Sequence, residues 1–132
     1  MKKIIDKSGT IIYCNENNEL HREDGPAIEY ADGAKKWYKN GKYHRENGPA
    51  IEFADGEKHW FKNGKYHRED GPAKEYPNGD KYWCKNGKLH REDGPALEYS
   101  NGDKDYYYND NWYPKIESDE EWKRFVKLMV FQ

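Results

Sequence analysis

His-Arg-Glu-Asp-Gly-Pro-Ala occupies residues 21–27, recurs at 67–73 and 90–96, and returns at 44–50 with Asn47 in the aspartate position. His21, His44, His67 and His90 are spaced by 23 residues throughout. A fixed period of this length is the signature of a repeat array whose neighbouring units share a core. Other columns keep the same period: Gly33, Gly56, Gly79 and Gly102; Trp37, Trp60, Trp83 and Tyr106; Gly41, Gly64 and Gly87.

Between these columns each unit reads as hairpins. Ala27-Ile28-Glu29-Tyr30 is a short β-prone run followed by Asp32-Gly33, then Lys35-Lys36-Trp37-Tyr38, Asn40-Gly41, and Lys42-Tyr43-His44-Arg45. Asp-Gly and Asn-Gly between such runs predict two-residue type I′ turns, which need φ > 0 at both central positions. Two-residue loops at both turns would set Ile28 opposite Trp37, Trp37 opposite His44, and Tyr38 opposite Tyr43. One face would then carry Ile, Trp and His, and the other Tyr with Glu and Arg. The Gly-Pro step removes a backbone donor and should bend the chain, with the preceding Asp accepting a backbone hydrogen bond in an Asx turn. Asn47 can make that turn without a carboxylate, so the position reads as geometric.

The ends depart from the repeat. Residues 4–20 form a degenerate first unit, in which Gly9 and Tyr13 match the Gly33 and Trp37 positions with one extra residue. At the other end Asp110-Asn111 replaces Asn-Gly, and Tyr113-Pro114 replaces His-Arg. Ser118-Asp119-Glu120-Glu121 is a capping box, and Trp122, Phe125, Val126 and Met129 follow at helical spacing. A helix over roughly 118–130 should lay this stripe on the last hairpin and cover its open edge. The expected fold is all-β: an elongated single-layer antiparallel ribbon of about ten short strands over 1–113, closed by a capping helix within 114–132.

Composition sets the thickness. Only 34% of the 132 residues are hydrophobic, 36% are charged, and the mean hydropathy is −1.43. Yet 16% are aromatic, and aromatics bury roughly 150–250 Å² each, so a thin sheet fits better than a thick globule. A net charge of −2 lacks the basic excess of a nucleic-acid binder. The start of the chain is too quickly polar for a signal peptide, and no apolar run approaches the ~20 residues of a span; the expected address is cytoplasmic. Cys14 and Cys84 lie three repeats apart, too far for a disulfide, and are read as reduced.

The 23-residue period, the Tyr-Lys-Asn-Gly-Lys turn and the Ala-Asp-Gly turn resemble the MORN repeat superfamily. The His-Arg-Glu-Asp-Gly-Pro-Ala phrase is similar to a MORN-like variant frequent in phage, giant-virus and bacterial mobile-element proteins, where the standard pattern has a His-Gly-x-Gly step. The resemblance covers residues 8–113. It implies a scaffold with protein or membrane-lipid contacts, and its association with phage implies an inhibitor of host defence or an antitoxin.

Several side chains are candidates for binding. Equivalent histidines about 10 Å apart in one sheet cannot share a metal ion, and packing of His against Trp is the expected role. The row Arg22, Arg45, Arg68 and Arg91 either binds anions or pairs across strands with Glu29, Glu52, Glu75 and Glu98. Lys35, Lys58, Lys81 and Lys104 read as solubility and edge protection. Trp37, Trp60 and Trp83 are core residues that can also anchor a partner. Positions that vary on the repeated scaffold are the better guide to a specific site: Lys36, His59, Tyr82 and Asp105; Tyr38, Phe61, Cys84 and Tyr107; and Lys74, which replaces an aliphatic residue. No cofactor motif is present, and an active site needs one converging set rather than four copies. The expected function is therefore non-enzymatic protein binding, and the resemblance implies an inhibitor that covers a bacterial defence or toxin protein. An antitoxin or immunity protein, a scaffold or homodimer joined through the N-terminal edge strand, and a nucleotide-signal sponge using the Arg row are the alternatives.

Overall fold

A computed structural model describes residues 1–130. Ten strands form one open antiparallel sheet. Lys2–Ile5 and Ile11–Cys14 begin it, and pairs of two-residue strands from successive repeats follow: Ile28–Glu29 with Lys35–Lys36, Ile51–Glu52 with Lys58–His59, Lys74–Glu75 with Lys81–Tyr82, and Leu97–Glu98 with Lys104–Asp105. The helix, Asp119–Val130, closes the C-terminal end. No helix among the described residues is long and apolar enough to cross a membrane.

The second hairpin of each repeat leaves this sheet, which the sequence does not announce. Tyr38–Lys39 pairs only with Lys42–Tyr43, and the three equivalent hairpins also stand outside the ten strands. The corner is Trp37. Its N–H donates to Ala50 O at the end of the following phrase (2.7 Å), while its carbonyl accepts from His44 N–H at the start of that phrase (3.1 Å). The ladder therefore runs directly from Lys35–Lys36 to Ile51–Glu52, and residues 37–50 form an excursion alongside it.

The two turns differ in type. Asn40 (φ 48°) and Gly41 (φ 81°) both adopt positive φ, giving the expected type I′ turn with Tyr38 opposite Tyr43. At Asp32-Gly33 only the glycine does (φ 98°). Asp32 instead accepts the Ala34 N–H at 2.9 Å, and Tyr30 and Ala34 close a three-residue loop ending in a bulge at Gly33. The extra loop residue shifts the register by one, so Ile28 faces Lys36 rather than Trp37. Because side chains alternate, that shift exchanges the faces. Ile28, Lys36, Ile51, His59, Lys74, Tyr82, Leu97 and Asp105 share one face in cross-strand register. The other face is an alternating ladder of Glu29, Lys35, Glu52, Lys58, Glu75, Lys81, Glu98 and Lys104. The four lysines are exposed.

The core lies in the angle between the sheet and the row of hairpins. Ala50, Ile51 and Phe61 are buried there beneath Trp37, Tyr43 and Tyr66. The rings of Tyr38, Tyr43, Phe61 and Tyr66 form one continuous stack, with successive centroids 4.4, 4.8 and 4.1 Å apart. Ala27, Ala50, Ala73 and Ala96 are all fully buried, so the alanine of the phrase marks a space that holds only a methyl group.

The phrase itself is a latch. Each arginine stacks on the ring of the Trp column: Arg45 on Trp37 (3.8 Å), Arg68 on Trp60 (3.8 Å), Arg91 on Trp83 (3.7 Å), and Arg22 on Tyr13 (4.0 Å). This confirms Tyr13 as the first member of that column. Each also donates to the proline carbonyl four residues on, at 3.1–3.2 Å, and lies 3.1–3.7 Å from Glu29, Glu52, Glu75 or Glu98. The phrase aspartate accepts from Arg Nε in three repeats, rather than from a backbone N–H as expected; Asn47 carries no carboxylate for that bond. The glycine of the phrase has ordinary φ. A Cβ at Gly71 would lie 2.6 Å from Arg68 Cζ, so an added methyl would push the guanidinium out of its place on the ring.

The helix lays its Trp122 and Phe125 stripe on the last hairpin, as expected. Trp122 is fully buried against Tyr106 and Tyr113, and its Nε1–H donates to Arg91 O at 2.8 Å. Ser118 Oγ accepts the Glu121 N–H (3.1 Å) as the N-cap. Lys104–Asp105 is the last strand of the sheet, paired with Leu97–Glu98, and the helix caps the array at this end through Tyr106 and Tyr113.

Gly71→Ala should therefore lower stability by about 1–3 kcal/mol, the usual range for overpacking, measured by thermal unfolding. In Arg68→Ala/Gly71→Ala the methyl has room, so the double variant should cost less than the two single changes together. Additive costs would contradict the latch.

Candidate interaction surface

The structure divides the candidate residues between two surfaces. Lys36, His59, Lys74, Tyr82 and Asp105 lie on the core-side face of the sheet, in register with the aliphatic column. Trp37, Trp60 and Trp83 sit under the arginines at the loop side. Phe61 and Cys84 are buried core residues, while Tyr38 is half-buried in the ring stack. Phe61 supports the array and offers little to a partner.

On the sheet face the variable positions meet an aromatic column that the residue pattern did not single out: Tyr30, Phe53, Tyr76 and Tyr99. These recur at the 23-residue period, but a two-residue loop would have assigned them to a turn flank. Lys36 Nζ lies 5.4 Å from the Tyr30 ring centroid. Lys74 Nζ lies 4.1 Å from that of Tyr66 and 5.4 Å from that of Tyr82. A lysine in the aliphatic column is thus accommodated because two tyrosines, Tyr66 and Tyr82, present ring faces to its charge; Tyr76 meets Tyr82 edge-on at 5.4 Å. Tyr82 in turn meets Tyr99 edge-on. Phe53 is exposed at the margin.

His59 is the centre of this cluster. Its Nε2 bonds Glu57 Oε2 at 2.7 Å, its Nδ1 bonds the Tyr66 hydroxyl at 3.0 Å, and Phe53 and Tyr76 approach the ring edgewise. Burial lowers its pKa below the ordinary histidine value; Glu57 opposes that shift and Lys74 adds to it. Burial also raises the Tyr66 and Tyr76 hydroxyls and pushes the Cys84 thiol up to about 11. Cys84 is therefore a protonated, inert packing group at neutral pH.

The other histidines do not pack on Trp as expected. In each, Nδ1 accepts the backbone N–H of the asparagine 19 residues further on: Asn40 to His21, Asn63 to His44, Asn86 to His67 and Asn109 to His90, at 2.9–3.2 Å. Nε2 faces Glu23, Glu46, Glu69 or Glu92. The tautomer with its proton on Nε2 satisfies both contacts. Among the described residues no three His, Cys, Asp or Glu side chains gather to hold a metal ion. The arginines likewise face their glutamates, so the Arg row is engaged within the fold, and both cysteines are free thiols. No protein-family model matches the chain, and no curated protein matches it in sequence.

Stability should fall on mild acidification. A histidine whose folded pKa is lowered takes up a proton more readily in the unfolded chain, so stability is complete above about pH 6.5. It is lost as pH falls through the folded value. His59 and His90 share this direction, both through burial. Thermal midpoints measured from pH 7.5 to 5 should decline, and His59→Gln should make that decline shallower. An unchanged slope in the variant, or a rise in stability toward pH 5, would contradict the buried neutral His59.

Proposed function

We propose that the chain is a non-enzymatic protein-binding module, acting as a phage- or mobile-element-type inhibitor that covers a functional surface of a bacterial defence protein. The observation that carries the reading is the placement of Lys36, Lys74, Tyr82 and Asp105 on one face of an otherwise repetitive scaffold, beside the Tyr30, Phe53, Tyr76 and Tyr99 column. Repeated positions hold the array together; the varied ones give this face a charge sequence from lysine to aspartate that a single partner can read. Tyrosines supply contact area at low entropic cost, and charged groups around them set orientation. The partner class comes from the resemblance of the phrase to the phage-associated repeat variant. An antitoxin would use the same face against a different partner.

Expressed in bacteria that carry defined defence systems, the chain should restore phage plating against one of them and co-purify with a component at fixed stoichiometry. Lys36→Ala/Lys74→Ala/Tyr82→Ala should weaken that complex at least tenfold while keeping the circular dichroism spectrum. Lys35→Ala/Lys58→Ala/Lys81→Ala, on the opposite face, should leave it unchanged. The reverse pattern, or no effect on any defence system, would overturn the reading.

A second reading, self-association, draws on the N-terminal strand. Lys2–Ile5 is paired on one side only, and all four of its residues are exposed, Ile4 at 51% and Ile5 at 63%. An open apolar edge of this kind pairs with another strand. Light scattering across a concentration series separates the two: a rising mass that Ile4→Lys abolishes supports self-association, and a constant monomer mass removes it.

A further inference from the structure

The loop side of the array carries a second surface, distinct from the variable face. Between successive phrases lie three clefts of about 600, 740 and 330 Å³. Adjacent clefts share walls: Arg45 to Asn47 border the first two, and Arg68 to Asp70 the second and third. They make one furrow along the repeat axis. Trp37, Trp60 and Trp83 each line one cleft, as do Lys39, Lys62 and Lys85.

We propose that this furrow binds an extended, proline-rich peptide in the polyproline II conformation carrying Lys or Arg at every third residue.

The period selects the ligand's backbone. One repeat advances the sheet by two strands, about 9.4–9.8 Å. The ring stack agrees, since Tyr38 and Phe61, one repeat apart, are separated by stacking steps of 4.4 and 4.8 Å. A polyproline II helix completes a turn in three residues and about 9.3 Å, so the same ligand face meets each cleft. A β-strand covers that distance in about three residues but alternates sides, sending every second contact away. An α-helix at about 1.5 Å per residue completes no whole number of turns over it. Aromatic-lined grooves are the usual receptors for polyproline II peptides, whose stiffness lowers the entropy lost on binding.

Exposure selects the ligand's charge. In the central cleft the Arg68 side chain is 22% exposed and faces Glu75, whereas Glu69 and Asp70 are 71% and 90% exposed. Glu46 is similarly open. The reachable charges are thus mainly carboxylates, one or two per repeat, offset by a single lysine per cleft.

The test is calorimetric titration with synthetic (Pro-Pro-Lys)4, a peptide of the same composition with its lysines clustered at one end, and (Pro-Pro-Glu)4. The regularly spaced lysine peptide should bind at least tenfold tighter than the clustered one, and the glutamate peptide should not bind. Glu46→Gln/Glu69→Gln should weaken binding at least fivefold, its amides still meeting the histidines. Asn47→Asp, which restores the residue found in the other three repeats, should tighten it. Equal affinity for the two lysine peptides would reduce the interaction to unregistered charge attraction and overturn the proposal, as would absence of binding. Either failure leaves the variable-face reading intact, since the two surfaces share no residue.

Discussion

A two-residue turn exposes backbone N–H groups at its tip that its own hairpin cannot bond, and the array is built around supplying their partners from the phrase that precedes the turn. Asn40 N–H goes to His21 Nδ1 and Gly41 N–H to Leu20 O; the same two bonds recur at Asn63 and Gly64, at Asn86 and Gly87, and at Asn109 and Asp110. This explains why the phrase begins with histidine. An imidazole can accept at one nitrogen and donate to a carboxylate at the other, so one side chain ties the turn ahead to the glutamate beside it. A hairpin outside the main sheet is thereby stitched to its neighbour without any continuous strand ladder.

The arginine next in sequence completes the junction from the other side. Its guanidinium joins ring, proline carbonyl and glutamate, and the glycine three residues on lets the loop close over it. Each such contact contributes modestly, about 1 kcal/mol for a hydrogen bond and about 0.5–2 kcal/mol for a cation over an aromatic face. In a linear array they add from repeat to repeat, which is how a chain with so little aliphatic content holds one structure. Where the pattern stops, its substitutes are visible: Trp122 packs on Tyr106 and donates to the Arg91 carbonyl.

The period, the hairpins, the type I′ turn at Asn-Gly and the helix over 118–130 were legible because each depends on local chemistry. The Arg–Glu pairing was one of two readings that the columns allowed, and it is present in all four phrases. The face assignment was not legible. Asp-Gly supports more than one turn, and whether the aspartate adopts positive φ or caps the next N–H decides a one-residue register. That single residue moved Ile28 from Trp37 to Lys36 and hid the Tyr30, Phe53, Tyr76 and Tyr99 column. The exit of the second hairpin from the sheet was equally hidden, since it depends on Trp37 bonding two different segments, and no local pattern encodes a divided partner.

The result is a scaffold that separates repetition from variation. The loop side repeats its clefts along the array, whereas the core-side face changes its residues from repeat to repeat. Both depend on the histidine junctions keeping successive repeats in register. Native-state hydrogen exchange at the backbone amides of Asn40, Asn63, Asn86 and Asn109 tests that dependence most directly. The account predicts that all four are protected and that His44→Ala releases Asn63 while leaving Asn109 protected. Exchange of Asn63 in the unaltered protein at the rate of a free turn would contradict it.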